Sequence, residues 1–166
     1  MKFPALLILV LLLAASAAIA QNVRSGIRIS YTQIDRQSGT TGSAFLPVSS
    51  REVTIERTTP ENACGAARAV SITGNLPRGP IRRVRISFTT NALNAIPLSP
   101  RGCPRAWVET TLADGTILAG GHGEVRVTQF GDATHPLRGT FSQTADRGGV
   151  PTTIRGEFTT VLPAPP

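Results

Sequence analysis

Aromatic side chains make up only 5% of this 166-residue chain, six Phe with one Trp and one Tyr, and that scarcity argues against two architectures. An outer-membrane barrel needs aromatic girdles around an apolar outer band. The chain has few aromatics and ends in Leu162-Pro163-Ala164-Pro165-Pro166 rather than in a strand. A carbohydrate-binding platform would present a row of exposed Trp or Tyr, and Trp107 stands alone.

Metal-ligating residues are equally sparse. The only histidines are His122 and His135, expected near opposite ends of one strand, on the order of 40 Å apart at ~3.3 Å per residue. They cannot share an ion, and no metal site or cofactor is expected. Asp132 and Asp146 sit in turns that lack the dense carboxylate spacing of a calcium loop. Helix signals are absent. So are a Gly-x-Ser-x-Gly elbow and a Gly-rich phosphate loop opening a helix. Gly120-Gly121-His122-Gly123 is glycine-rich but falls in an expected strand, where it reads as backbone geometry.

What is present begins with an export signal. Lys2 precedes an apolar run from Ala5 to Leu13, followed by small residues ending in Ala18-Ile19-Ala20. That order predicts a cleaved signal peptide over residues 1–20 and a single secreted β-domain over 21–166, released to the periplasm or beyond, with no membrane span in the mature chain. Export places Cys64 and Cys103, the only cysteines, where thiols oxidise. One disulfide is expected, worth about 4 kcal/mol in the chain-entropy model.

Lys2 is also the only lysine, so every basic residue after the signal is arginine, and the whole chain carries a net charge of +7. An anionic partner is one reading of that excess, whether nucleic acid, polysaccharide or acidic lipid. The plainer one is a GC-rich genome that favours Arg, Ala, Gly and Pro together. Clustering decides between them.

Alternating polarity supplies the strands. Gly26 to Ile34 sets Ile27, Ile29 and Tyr31 against Arg28, Ser30 and Thr32, which makes Tyr31 a core residue. Residues 35–50 read as a long loop pinned by Ala44-Phe45-Leu46. Residues 52–56 and 69–73 alternate again. Ile81 to Thr89 points Val84, Ile86 and Phe88 inward and Arg83 and Arg85 outward, where Glu52 and Glu56 would neutralise the arginines if the strands were neighbours. Asn91 to Pro104 holds three prolines and reads as a crossing connection.

The C-terminal third is the most regular. Asp114-Gly115 is a strong hairpin signal, and a two-residue loop there pairs Leu112 with Ile117, Trp107 with His122 and Arg105 with Glu124. A second hairpin joins the phrases Leu137-Arg138-Gly139-Thr140-Phe141 and Ile154-Arg155-Gly156-Glu157-Phe158 about a turn at Asp146-Arg147-Gly148-Gly149. Gly139 is expected opposite Gly156, Phe141 opposite Ile154, and Arg138 opposite Glu157. Together these strands predict a four-stranded meander from Arg105 to Val161. The whole reads as an all-β antiparallel sandwich or small barrel of about eight strands.

The outward face of that meander is the candidate site. Arg105, Trp107, Glu109, His122 and Glu124 would converge there. A binding role centres on Trp107 with Arg105 and His122, since an exposed aromatic flanked by arginine suits recognition. The rival is a small hydrolase or lyase with His122 as acid/base beside Glu109 or Glu124. A third reading, polyanion binding, rests on Arg126 and Arg155 in one row across Thr140, with Arg138 adjacent. The expected function is a non-enzymatic exported domain that binds an extracellular ligand or an envelope partner.

Overall fold

The computed structural model describes residues 25–32, 41–57, 68–90, 93–99, 105–131 and 135–161. The expected signal segment 1–20, the expected Cys64–Cys103 disulfide and Asp132 lie outside them. Among the described residues no helix is long and apolar enough to cross a membrane.

Among the described residues the strands are β1 (Gly26–Thr32), β2 (Thr41–Pro47), β3 (Val53–Arg57), β4 (Arg68–Asn75), β5 (Ile81–Thr90), β6 (Ala95–Pro97), β7 (Arg105–Leu112), β8 (Ile117–Ala119), β9 (His122–Gln129), β10 (Leu137–Asp146) and β11 (Pro151–Thr160). They form two antiparallel sheets, one in the order β2-β1-β11-β10-β9-β6 and one in the order β3-β4-β5-β7-β8. The sheets are not closed into a barrel, which settles the expected alternatives in favour of the sandwich.

One apolar core lies between the sheets, because every strand alternates and each sheet has one apolar face. The inner residues of β1, β10 and β11 (Ile27, Ile29, Leu137, Phe141, Ile154, Phe158) meet those of β4, β5 and β7 (Val70, Ile72, Val84, Ile86, Phe88, Val108) in a single cluster. Phe88 and Phe158 touch across the gap with ring centroids 5.9 Å apart, tilted by 31°. Val84, Ile86 and Phe88 point inward and Arg83 and Arg85 outward, as the alternation predicts. Tyr31 is half-buried against the core.

Several expectations are corrected. Part of the expected loop 35–50 is strand β2, which pairs with β1 from Thr32↔Thr41 to Gly26↔Pro47. The proline-rich connection contributes β6, a three-residue edge strand. At an edge the missing proline N–H costs no ladder bond. Arg83 and Arg85 do not neighbour the strand of Glu56, because β4 lies between β3 and β5.

The four-stranded meander does not form. β7 and β8 belong to the second sheet, whereas β9, β10 and β11 belong to the first. The chain crosses between sheets at Gly120-Gly121, both at positive φ (66° and 85°). Two successive left-handed residues turn the backbone out of one sheet and into the other, a geometry that costs glycine nothing and other residues about 1–2 kcal/mol each. The Gly-rich stretch is backbone geometry, as expected, with Gly120 and Gly121 at the corner and His122 and Gly123 in strand β9.

The two C-terminal registers also differ. At Asp114-Gly115 the loop holds three residues. The Leu112 amide donates to the Thr116 carbonyl at 2.9 Å, Gly115 sits at φ 84°, and Thr111 pairs with Ile117. This is the three-residue loop with a left-handed glycine, one residue longer than the two-residue turn. In the second hairpin the turn is displaced by one residue, with Arg147 N donating to Val150 O at 2.9 Å and Asp146 paired with Pro151. Gly139 therefore opposes Phe158, and Phe141 opposes Gly156. A Cβ at Gly139 would come within 2.3 Å of Phe158 Cζ, and one at Gly156 within 2.7 Å of Phe141 Cε1. Each phenylalanine ring covers the glycine of the other strand, a more compact match than glycine against glycine.

Candidate functional site

The sheet crossing divides the expected site. Arg105, Trp107 and Glu109 alternate with buried Ala106, Val108 and Thr110 on β7, so they stand on the outer face of the second sheet. His122, Glu124 and Arg126 alternate with buried Val125 and Val127 on β9, and Arg155 lies on β11, all on the outer face of the first sheet. With one core between the sheets, these two faces point away from each other. Trp107 has Ser87 as its partner on β5, not His122, and the expected Arg105–Glu124 pair is not made.

On the outer face of the first sheet two of the arginines, Arg28 and Arg126, are matched by acids. Arg28 reaches Glu157 at 3.6 Å, its neighbour across β1 and β11, and Arg126 reaches Glu124 at 3.2 Å. Thr140 lies between Arg126 and Glu157, whereas Arg155 is opposite Ser142 and Ser30. The expected row Arg126–Thr140–Arg155 is thus broken by a two-residue register difference, and Arg138 faces Thr159 rather than Glu157. His122 is exposed at the start of β9, beside Thr144.

The outer face of the second sheet is built differently. Cross-strand register places Thr54 of β3, Ser71 of β4, Ser87 of β5 and Trp107 of β7 in one row. The row on one side runs through Thr73, Arg85 and Glu109, and the row on the other through Ala69, Thr89 and Arg105. Ser71 Oγ and Ser87 Oγ lie 3.1 Å apart, and Arg85 Nε donates to Ser71 Oγ at 3.1 Å. A depression of about 420 Å³ opens over these residues, lined by Thr54, Ser71, Arg85, Ser87, Arg105 and Trp107 among others.

Trp107 is half-buried and its six-membered ring rests on Gly120: a Cβ there would lie 2.7 Å from both Cη2 and Cζ3. The glycine at the sheet crossing therefore also seats the only tryptophan of the chain. Arg85 and Arg105 are exposed on either side of the hydroxyl row.

Alternation in β5 showed Arg85 to be outward, but strand order was needed to bring it beside Trp107. Ser71 and Ser87 drew no attention as candidates, because hydroxyls on an outer sheet face are common and only their alignment distinguishes them. Among the described residues no group of three His, Cys, Asp or Glu is arranged to hold a metal ion. The Asp146 carboxylate caps its own turn, accepting from the Gly149 amide at 2.7 Å.

The chain matches no protein-family model, no curated protein and no solved structure.

Proposed function

We propose that the chain is an exported, non-enzymatic recognition domain whose ligand binds on the outer face of the second sheet, in the depression beside Trp107. The observation that carries this reading is the row Thr54–Ser71–Ser87 ending on Trp107, flanked by Arg85 and Arg105. A half-buried aromatic ring with polar groups and guanidinium donors converging on one concavity is the usual composition of a small-ligand site, and about 420 Å³ lies within the range of such pockets. Export rests on the sequence of residues 1–20.

The rival readings draw less support. A hydrolase or lyase using His122 with Glu109 would need two residues that stand on opposite faces. The pair His122 and Glu124 shares a face, but the Glu124 carboxylate is engaged by Arg126 at 3.2 Å. Polyanion binding through Arg126 and Arg155 loses the aligned row on which it depended.

A thermal-shift panel of glycans, lipids, nucleotides and metal ions tests the reading on the wild type, Trp107→Ala and His122→Ala. The expected result is a stabilising ligand whose effect disappears in Trp107→Ala and persists in His122→Ala. The opposite pattern would move the site to the first sheet, and no shift with any class would count against recognition altogether.

A further inference from the structure

Resting on that reading of the Trp107 depression, we infer that the ligand is an acidic saccharide, a sugar chain bearing carboxylate or sulfate groups.

The inference follows from the order of groups along the face. Outward residues on one strand recur every second position, about 6.6 Å apart, so the Arg85 and Arg105 rows lie about 13 Å apart along the strands with the hydroxyl row midway. The site thus offers two guanidiniums separated by neutral hydroxyls and one aromatic ring. An acidic saccharide has the complementary order. Its charges are separated by hydroxyl-bearing rings, and each ring has a C–H face that packs on an electron-rich aromatic surface.

Arginine presents a planar fork of donors suited to carboxylate or sulfate oxygens. Arg85 already has Nε committed to Ser71, which holds the side chain against the sheet. Ser71 and Ser87, 3.1 Å apart, offer paired hydroxyls that both donate and accept, as sugar hydroxyls require.

Nucleic acid fits less well. A phosphate backbone carries dense charge and calls for a continuous basic groove with several stacking rings. Here the two guanidiniums are set apart by neutral hydroxyls rather than joined in a continuous groove, and Trp107 is the only tryptophan. A neutral saccharide would rely on a row of aromatics that this face lacks. In this site ion pairing supplies what further rings would otherwise provide.

Because Trp107 is the sole tryptophan, its emission reports directly on the site. Titrations would use a galacturonate trimer, a heparin-derived tetrasaccharide, a neutral galactose trimer and a thymidine oligonucleotide. The proteins would be the wild type, Arg85→Gln and Arg105→Gln, with matching melting temperatures confirming that both variants fold.

The expected result is a saturable emission change with at least one acidic saccharide, no comparable response to the neutral trimer, and affinity about ten-fold or more weaker in each arginine variant. The galacturonate and heparin arms distinguish carboxylate from sulfate recognition. Equal binding of the neutral trimer, or indifference to both arginine substitutions, overturns the acidic class while leaving recognition at Trp107 standing. A response to the oligonucleotide alone overturns it in favour of a polyphosphate. Silence with every saccharide overturns it outright, and recognition then stands or falls on the thermal-shift panel.

Discussion

Gln143, on β10 of the first sheet, accepts a hydrogen bond through Oε1 from Thr110 Oγ1, on β7 of the second, at 3.0 Å, and both side chains are fully buried. Gln143 Nε2 points at three carbonyl oxygens of the second sheet and its crossing: Val108 at 2.9 Å, Leu118 at 3.2 Å and Gly120 at 2.9 Å. An amide has two N–H donors, so the three carbonyls share them. A buried amide is costly unless satisfied, and this one is satisfied only when β7, β8 and the Gly120 corner are in register with β10. Gln143 thereby ties the two sheets together beneath the seat of Trp107.

Removing that tie is expected to be expensive. Gln143→Ala should destabilise folding by about 3 kcal/mol or more, and Thr110→Val by about 1–2 kcal/mol. Urea denaturation of the single and double variants checks this. The double variant should cost less than the sum of the singles, because the second substitution removes a partner already lost.

Gly121 is the other fixed point of the corner. At φ 85°, a Cβ there would also lie 2.3 Å from the Thr144 carbonyl oxygen. Gly121→Ala should combine backbone strain with a steric shift of β10, for a loss of about 2–4 kcal/mol in denaturant unfolding. Gly115→Ala meets nothing within 4 Å and suffers only its positive φ, 84°. Its loss should be about 1–2 kcal/mol. The difference between the two separates crowding from conformation.

Acid should weaken the fold through Glu52, in the 3₁₀ turn Ser50–Glu52 that leads into β3. The Ser49 amide, donating to Oε2 at 2.8 Å, holds this carboxyl below its ordinary range against the opposing effect of burial, helped in lesser degree by the Ser49 hydroxyl, Asn75 and the charge of Arg83. A carboxyl lowered in the folded state binds protons more readily in the unfolded chain. Its stabilisation is therefore complete above the ordinary carboxylate range and is lost as pH falls through the folded value. Melting temperatures between pH 7 and pH 3 should fall less steeply in Glu52→Gln than in the wild type.

The all-β class and the strand polarity were legible because alternation is a local signal, whereas the choice between sandwich and barrel was not. Ile27 and Ile29, or Val84 and Ile86, declare their faces without reference to any other strand. What could not be read locally was which sheet each strand joins. The residues after Asp114 are compatible with a continuing meander, and only the double left-handed turn at Gly120-Gly121 sends β9 elsewhere. Register differed at the two hairpins for a related reason, while the pairing of Val125 with Phe141 and of Val127 with Gly139 is the one expected. A loop of three residues rather than two at Asp114-Gly115 shifts pairing by one position, and a one-residue shift changes which residues on the two strands face each other. Trp107 and Arg105 kept their place in the candidate site because both lie on one strand. His122, Arg126 and Arg155 left it because their membership depended on pairing. Arg85, Ser71 and Ser87 entered it for the same reason.

The proposed site can be located most directly by amide and indole nitrogen–proton NMR of the ¹⁵N-labelled protein during titration with the galacturonate trimer. Binding on the outer face of the second sheet predicts shifts at the Trp107 indole N–H and at the amides of Ser71, Arg85 and Ser87, with His122, Arg126 and Arg155 unmoved. Shifts confined to His122, Arg126 and Arg155, with the Trp107 indole unmoved, would contradict the account.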